Sequence, residues 1–369
     1  MPLPAVRVAE LGQSIWYDNL SRDLLESGEM RRLVEQHGVR GVTSNPAIFQ
    51  KAMTTSPLYA PRFDALAAEG KDAEAIYETL AVEDIRATCD FLRPVFDRTG
   101  GADGFVSLEV SPALAHDTEG TIAAAKRLAA DVDRRNLMIK VPATPAGIPA
   151  IRALIADGLC INVTLIFSRT VHDRVIDAFM SGLEDRAARG LDLRGIHSVA
   201  SFFVSRVDGA VDARLDALGT PAARALRGKA AVANAKLAYA LFEERFGAPR
   251  FAALRAKGAA VQRPLWASTS TKDPAYPDTL YVDTLIGPDT VNTIPPATLT
   301  AFNDHGTVAE TVREGVDQAR RDLAAVEALG ISLEEVCREL LEAGVRSFAD
   351  AFDGLLGAVE ARRREVATA

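Results

Sequence analysis

The segmentation of this chain constrains its fold more than any other feature. Short β-rich segments at residues 14–18, 41–45, 104–110, 137–141, 160–168, 198–205, 264–270 and 279–285 alternate with longer helical stretches. Strands separated by helices form parallel βαβ units. Eight such units in 369 residues favour a closed barrel over an open sheet. An open doubly wound sheet would carry a Gly-rich phosphate turn after an early strand, and neither GxGxxG nor GxxxxGK[ST] occurs. The expected fold class is therefore α/β, a (β/α)8 TIM-type barrel with additional helices. Without a low-complexity linker or an internal repeat period, residues 1–369 read as one domain.

The helical stretches are legible in outline. Residues 121–131 place Ile122, Ala125 and Leu128 at helical spacing, and the Ala-rich stretch 221–246 reads as one long helix. Ser332-Leu333-Glu334-Glu335 is a capping box that opens a helix running toward Arg363. Residues 50–96 are too long for one crossover helix and should hold two or three. The tail after about residue 307 reads as helical and is expected on the barrel's outside. Residues 290–296, after the expected eighth strand, are unassigned by spacing and could contribute to the pocket.

Barrels of this kind build their sites at the C-terminal ends of the strands. Those ends offer Asp18; Thr43 and Asn45; Glu109; Lys140; Asn162 and Thr164; Ser201, Ser205 and Arg206; and Ser268, Ser270 and Lys272. One polar residue in a strand is usually a satisfied core group. Seven consecutive strands each supplying one are hard to read as structural. Residues at i and i+2 share a face, so Asn162 and Thr164 are expected to point the same way, as are Ser268 and Ser270. Lys140 stands out because it lies in the apolar run Leu137-Met138-Ile139-Lys140-Val141-Pro142-Ala143-Thr144. Burying an unpaired ammonium costs several kcal/mol, and proteins avoid that cost by favouring the neutral amine. A neutral amine attacks carbonyls to form a Schiff base. The bland alternative is a strand-end lysine reaching solvent. Inward Asp18 and Glu109 weigh against it, since carbinolamine dehydration and C–C cleavage both need proton transfer. Arg206 and Lys272 could hold a phosphate, with Ser268 adding a neutral donor.

Composition excludes other classes. The net charge of −8 argues against nucleic-acid partners and against a polybasic membrane patch, so an anionic ligand would need local cations. Cys89, Cys160 and Cys337 are far apart and odd in number, which suits a reducing, cytoplasmic setting without disulfides or zinc clusters. No leader pattern and no apolar run of membrane-spanning length is visible. The five histidines form no HxH or HExxH pattern, so no metal site is expected.

Five motifs in order resemble the transaldolase family across essentially the whole chain. They are Gly41-Val42-Thr43-Ser44-Asn45-Pro46, Ser107-Leu108-Glu109-Val110, Met138-Ile139-Lys140-Val141-Pro142-Ala143-Thr144, Asn162-Val163-Thr164-Leu165-Ile166-Phe167-Ser168 and Trp266-Ala267-Ser268-Thr269-Ser270-Thr271-Lys272. The resemblance implies a class I aldolase barrel with the Schiff-base lysine on the fourth strand and no cofactor. It also implies transfer of a dihydroxyacetone unit between sugar phosphates in the pentose phosphate pathway. It assigns Lys140 as the Schiff-base lysine and Asp18 as the acid–base group that takes the C4-hydroxyl proton. Glu109 becomes the carboxylate acting through a water held with Thr164. Asn45 and Asn162 would hold the dihydroxyacetone hydroxyls, Ser201 and Phe203 would line the pocket, and Arg206 and Ser268 would bind phosphate. Many members carry a second phosphate-binding arginine where this chain has Ser270. Lys272, two residues on, could supply that charge, an ending usual in the longer branch of the family. Members are often dimers, so a homodimer is one expectation.

Two rival readings remain at this point. Fructose 6-phosphate aldolases share the barrel but release free dihydroxyacetone. They are much shorter and carry a tyrosine where this chain has Glu109. A non-catalytic barrel is the rival from another class, and it has no need for Lys140, Asp18 and Glu109 together.

Overall fold

The computed structural model describes residues 2–368. Eight parallel strands close into a barrel in sequence order, β1 next to β2 and so on round to β8 beside β1. They are β1 Gln13–Tyr17, β2 Val39–Thr43, β3 Val106–Glu109, β4 Leu137–Pro142, β5 Ile161–Ile166, β6 Ser198–Phe203, β7 Gln262–Ala267 and β8 Thr290–Ile294. Apart from Arg40, Glu109 and Arg263, every strand residue is buried. That is why these segments read as near-continuous apolar runs and not as alternating ones. At one point the packing requires glycine: a Cβ on Gly41 would lie 2.6 Å from the Trp16 indole. The N-terminal end of the barrel is sealed by polar pairs. Asp103 accepts from Trp16 Nε1 at 3.0 Å and from Ser14 Oγ at 2.5 Å, and Arg263 Nη1 stands 3.4 Å from the same carboxylate.

The eighth strand corrects the sequence reading. Residues 279–285 contain a short helix, Leu280–Asp283, and the strand is the unassigned segment just after it. Thr279 decides this locally. Its hydroxyl donates to Asp283 Oδ2 at 2.8 Å while its carbonyl accepts from the amides of Val282 and Asp283, both at 2.9 Å. These bonds close a helical turn and override the β propensity of Tyr281 and Val282. Thr290–Ile294 instead pairs with all of β1, Gln13 opposite Thr290 through Tyr17 opposite Ile294.

Two helical expectations also change. The 221–246 stretch is Pro221–Arg224 and Ala230–Gly247, separated by a turn in which Gly228 takes a φ of +69°. The C-terminal helix Leu333–Thr368 does not stay outside the barrel: it contacts the helices Pro46–Thr55 and Ala73–Arg98 and brings Phe348 into the mouth. Of its predicted capping box one half is present, Ser332 Oγ accepting from the Glu335 amide at 3.3 Å. Residues 50–96 fall largely within three α-helices, Pro46–Thr55, Ala60–Ala68 and Ala73–Arg98.

One core group gives the fold a pH dependence. His172, on the helix Arg169–Ala188, is fully buried with its ring 5.8 Å from that of Phe202, and neither ring nitrogen has a hydrogen-bond partner. Burial disfavours the imidazolium and lowers the pKa to about 4. The folded state therefore binds fewer protons than the unfolded one. This stability is complete above about 6.5 and is lost as pH falls toward 4, by about 3 kcal/mol. The melting temperature of His172→Leu should consequently fall less between pH 6.5 and 4 than that of the wild type. Equal slopes would refute this account.

Candidate active site at the C-terminal mouth

Strand register assembles the site. Glu109 is the partner of Lys140 across β3 and β4, and Lys140 is the partner of Asn162 across β4 and β5. Three polar side chains on adjacent strands thus reach the same level of the barrel. Asp18, Thr43, Asn45, Lys140, Asn162, Thr164, Ser201, Phe203, Arg206, Ser268, Ser270 and Lys272 all line one cavity of about 250 Å³. Glu109 does not line this cavity: it lines a mostly apolar neighbouring cavity of about 240 Å³ with Tyr77 and Phe352, and meets the first through its 3.7 Å approach to Lys140.

Lys140 is buried, with 6% of its surface exposed. Its Nζ donates to the Ser44 carbonyl at 3.0 Å and lies 3.7 Å from Glu109 Oε2. The second distance is an ion-pair separation and too long for a hydrogen bond. Glu109 Oε2 has no hydrogen-bond partner, nor has the buried Thr164 Oγ1. Desolvation raises the Glu109 pKa above the usual carboxylate range, and the nearby Lys140 charge only partly offsets this. Asp18 follows the same logic. Desolvation raises its pKa, opposed by a 2.6 Å hydrogen bond from Thr43 Oγ1 and by Lys140. One amine is therefore shared between two carboxyl groups that burial has made more basic.

The amides are held in place by their neighbours. Asn162 Nδ2 donates to Ser107 Oγ at 3.0 Å, and its Oδ1 accepts from Ser201 Oγ at 2.6 Å. Asn45 is the N-cap of the helix Pro46–Thr55, with Oδ1 accepting from the Ile48 amide at 3.0 Å. Capping commits its oxygen and leaves the Nδ2 hydrogens for the cavity.

The cations gather on one side of the mouth. Arg206 opens the helix Ser205–Leu218 and lies 5.4 Å from the Phe203 ring. Among the described residues no carboxylate pairs with it, and burial lowers its pKa. A half-buried, unneutralised guanidinium in an acidic protein calls for an anion. Lys272 Nζ donates to Ser270 Oγ at 2.6 Å. Ser268 takes a left-handed φ of +54°, and its Oγ lies 3.0 Å from that of Ser205. This turn ends β7, so Ser268 and Ser270 reach the cavity from an irregular loop and the two-residue strand period does not apply to them.

Thr293 and Pro295, from the 290–296 segment whose part in the pocket spacing left undecided, do line the cavity, and sequence reasoning missed Phe348 from the C-terminal helix. Phe348 lies over Lys140, ring centroid to Nζ 5.8 Å. The signal available for it was the series Leu341, Val345, Phe348, Phe352, Leu355 and Val359, an apolar stripe that needs a surface to cover.

Fold and pocket together define an α/β-barrel enzyme with its site at the C-terminal mouth. The chain belongs to the transaldolase/fructose-6-phosphate aldolase family, whose sequence profile matches residues 15–359. It is 51% identical over 360 residues to a transaldolase of Frankia alni, covering 97% of each chain. It is 54% identical over 354 residues to transaldolase 1 of Streptomyces avermitilis, covering 96% of this chain and 94% of the relative. A transaldolase of Thermobifida fusca is 51% identical over 360 residues, 97% of this chain and 98% of its own length.

Proposed function

We propose that this chain is a transaldolase that moves a dihydroxyacetone unit from a ketose phosphate to an aldose phosphate through a Schiff base on Lys140. Fructose 6-phosphate or sedoheptulose 7-phosphate is the donor, and erythrose 4-phosphate or glyceraldehyde 3-phosphate the acceptor. The observation that carries this reading is the buried Lys140 amine, 3.7 Å from Glu109 in a cavity that also holds Asp18.

The steps follow from the side chains. Lys140 adds to C2 of the ketose, and Glu109 with Thr164 manages the protons as the carbinolamine loses water; their partnerless oxygens suit that task. Asp18 takes the C4-hydroxyl proton. The C3–C4 bond breaks, its electrons flow to the iminium to form an enamine, and an aldose phosphate leaves. Asn45 and Asn162 hold the three-carbon enamine, while Arg206, Ser268 and Lys272 hold the phosphate of whichever sugar phosphate is bound. The enamine carries no phosphate, so donor and acceptor use the same anion site in turn. Ping-pong kinetics follow. Glu109 favours transfer over the lyase reading, which rests on a tyrosine at that place. No described helix is long and apolar enough to cross a membrane, and the free thiols of Cys89, Cys160 and Cys337 fit a reducing cytoplasm.

The test is reduction of the protein with sodium borohydride in the presence of fructose 6-phosphate, followed by peptide mapping. A three-carbon adduct on Lys140 is expected. Folded protein with Lys140 unmodified would overturn the reading.

A further inference from the structure

The phosphate site proposed above is built from two separate pieces of chain. Arg206 begins the helix Ser205–Leu218, whereas Ser268, Ser270 and Lys272 lie on the loop after β7. The β6–β7 ladder aligns the two pieces only as far as its end, where the Val204 amide donates to the Ala267 carbonyl at 2.9 Å, the Ser205 amide to the Ser268 carbonyl at 3.0 Å, and the Ser205 and Ser268 hydroxyls lie 3.0 Å apart. The rest is done by two aspartates one turn apart on the helix, each bonded in the same pattern.

Asp208 accepts from the Ala231 amide at 2.7 Å with one oxygen and from the Tyr281 hydroxyl at 2.8 Å with the other. Asp212 accepts from the Gly228 amide at 3.0 Å and from the Tyr276 hydroxyl at 2.6 Å. Each carboxylate ties the start of the next helical segment to a tyrosine of the loop. A third tie runs from Arg227 Nη2 to Asp273 Oδ2 at 2.9 Å, one residue beyond Lys272. Tyr276 is fitted closely: a Cβ on Gly228 would lie 2.8 Å from its ring. Both aspartates are buried, where hydrogen bonds to charged groups are among the strongest. None of these six side chains lines the cavity itself.

We propose that Asp208, Asp212, Arg227, Asp273, Tyr276 and Tyr281 form a clasp that sets the separation between Arg206 and Lys272 and so confers preference for phosphorylated sugars. The six are positioning residues; they act through the cations and touch no substrate. The inference rests on the reading of Arg206 and Lys272 as the phosphate site.

Tyr276→Phe deletes one hydroxyl and keeps the ring against Gly228. For fructose 6-phosphate with erythrose 4-phosphate as acceptor, KM is expected to rise about tenfold with kcat within about twofold, the size of one lost hydrogen bond to a buried charge. With unphosphorylated fructose as donor, kcat/KM should not change. Asp273→Asn, which weakens a different tie, should show the same split to a smaller degree. Arg206→Ala separates the two levels of the argument. If it penalises fructose 6-phosphate and fructose equally, the phosphate-site reading falls. If it penalises only the phosphate ester while Tyr276→Phe leaves the KM for fructose 6-phosphate unchanged, the site stands and the clasp is wrong. An equal loss on both donors in Tyr276→Phe would also overturn the clasp, because that is what general loosening of the fold does.

Discussion

Lys140→Met should lower transaldol transfer by at least about 10⁴-fold, since it removes the buried amine that makes the covalent intermediate. Borohydride should then leave no sugar-derived mass on the 137–142 strand. The fold should persist, because among the described residues Nζ makes one hydrogen bond, to the Ser44 carbonyl, besides its 3.7 Å approach to Glu109, and methionine matches the length of the stem. Removing the cation has an electrostatic cost that can be assigned. Lys140 is what opposes desolvation at Glu109 and, after Thr43, at Asp18. Both carboxyl groups should therefore bind protons more readily in the variant, and its stability should fall relative to wild type as pH rises above the ordinary carboxylate range. Lys140→Arg divides charge from nucleophilicity. It keeps a cation near Glu109, so the stability loss should shrink, yet turnover should stay as low as in Lys140→Met. Residual activity near wild type in either variant, with the near-UV dichroism of folded protein, would refute Schiff-base chemistry at this residue.

Seven of the eight strands were legible because burial on both faces writes itself into the sequence as short runs of apolar residues. The same runs exposed the site, since a charge or amide inside such a run costs energy unless a neighbour satisfies it. Glu109, Lys140 and Asn162 were each conspicuous in this way, and strand register then brought them side by side. Two kinds of feature were not legible. The segment 279–285 has strand-forming residues, and only the hydroxyl of Thr279 reaching Asp283 turns it into a helix. The C-terminal helix is amphipathic, but amphipathicity reports that a face is covered and not what covers it. Phe348 over Lys140 is thus a tertiary fact. The clasp has the same character: Asp208 and Asp212 read as two ordinary helix-surface acids until the fold buries them against Tyr281 and Tyr276.

Asp18→Asn should stall the reaction one step later than Lys140→Met does. Asparagine cannot take the C4-hydroxyl proton, and loss of a positioned general base costs about 10²–10⁴ in rate. Lys140 and Glu109 remain, so the imine still forms. Reduction with borohydride in the presence of fructose 6-phosphate should then trap the uncleaved six-carbon sugar phosphate on Lys140, where the wild type yields a three-carbon adduct. A three-carbon adduct forming at the wild-type rate would remove Asp18 from the cleavage step. The pH profile supplies an independent check. Asp18 works as a base only when ionised, and desolvation raises its pKa, so transfer should fail on the acid side at a pH above the ordinary carboxylate range. The hydrogen bond from Thr43 at 2.6 Å stabilises the carboxylate and holds that pKa down. Thr43→Val deletes the bond while nearly keeping the volume, so the acid limb of kcat/KM should move to higher pH. A limb that stays in place, or moves to lower pH, would show that some other group controls it; a shift in the expected direction would tie the limb to the carboxyl group that Thr43 touches.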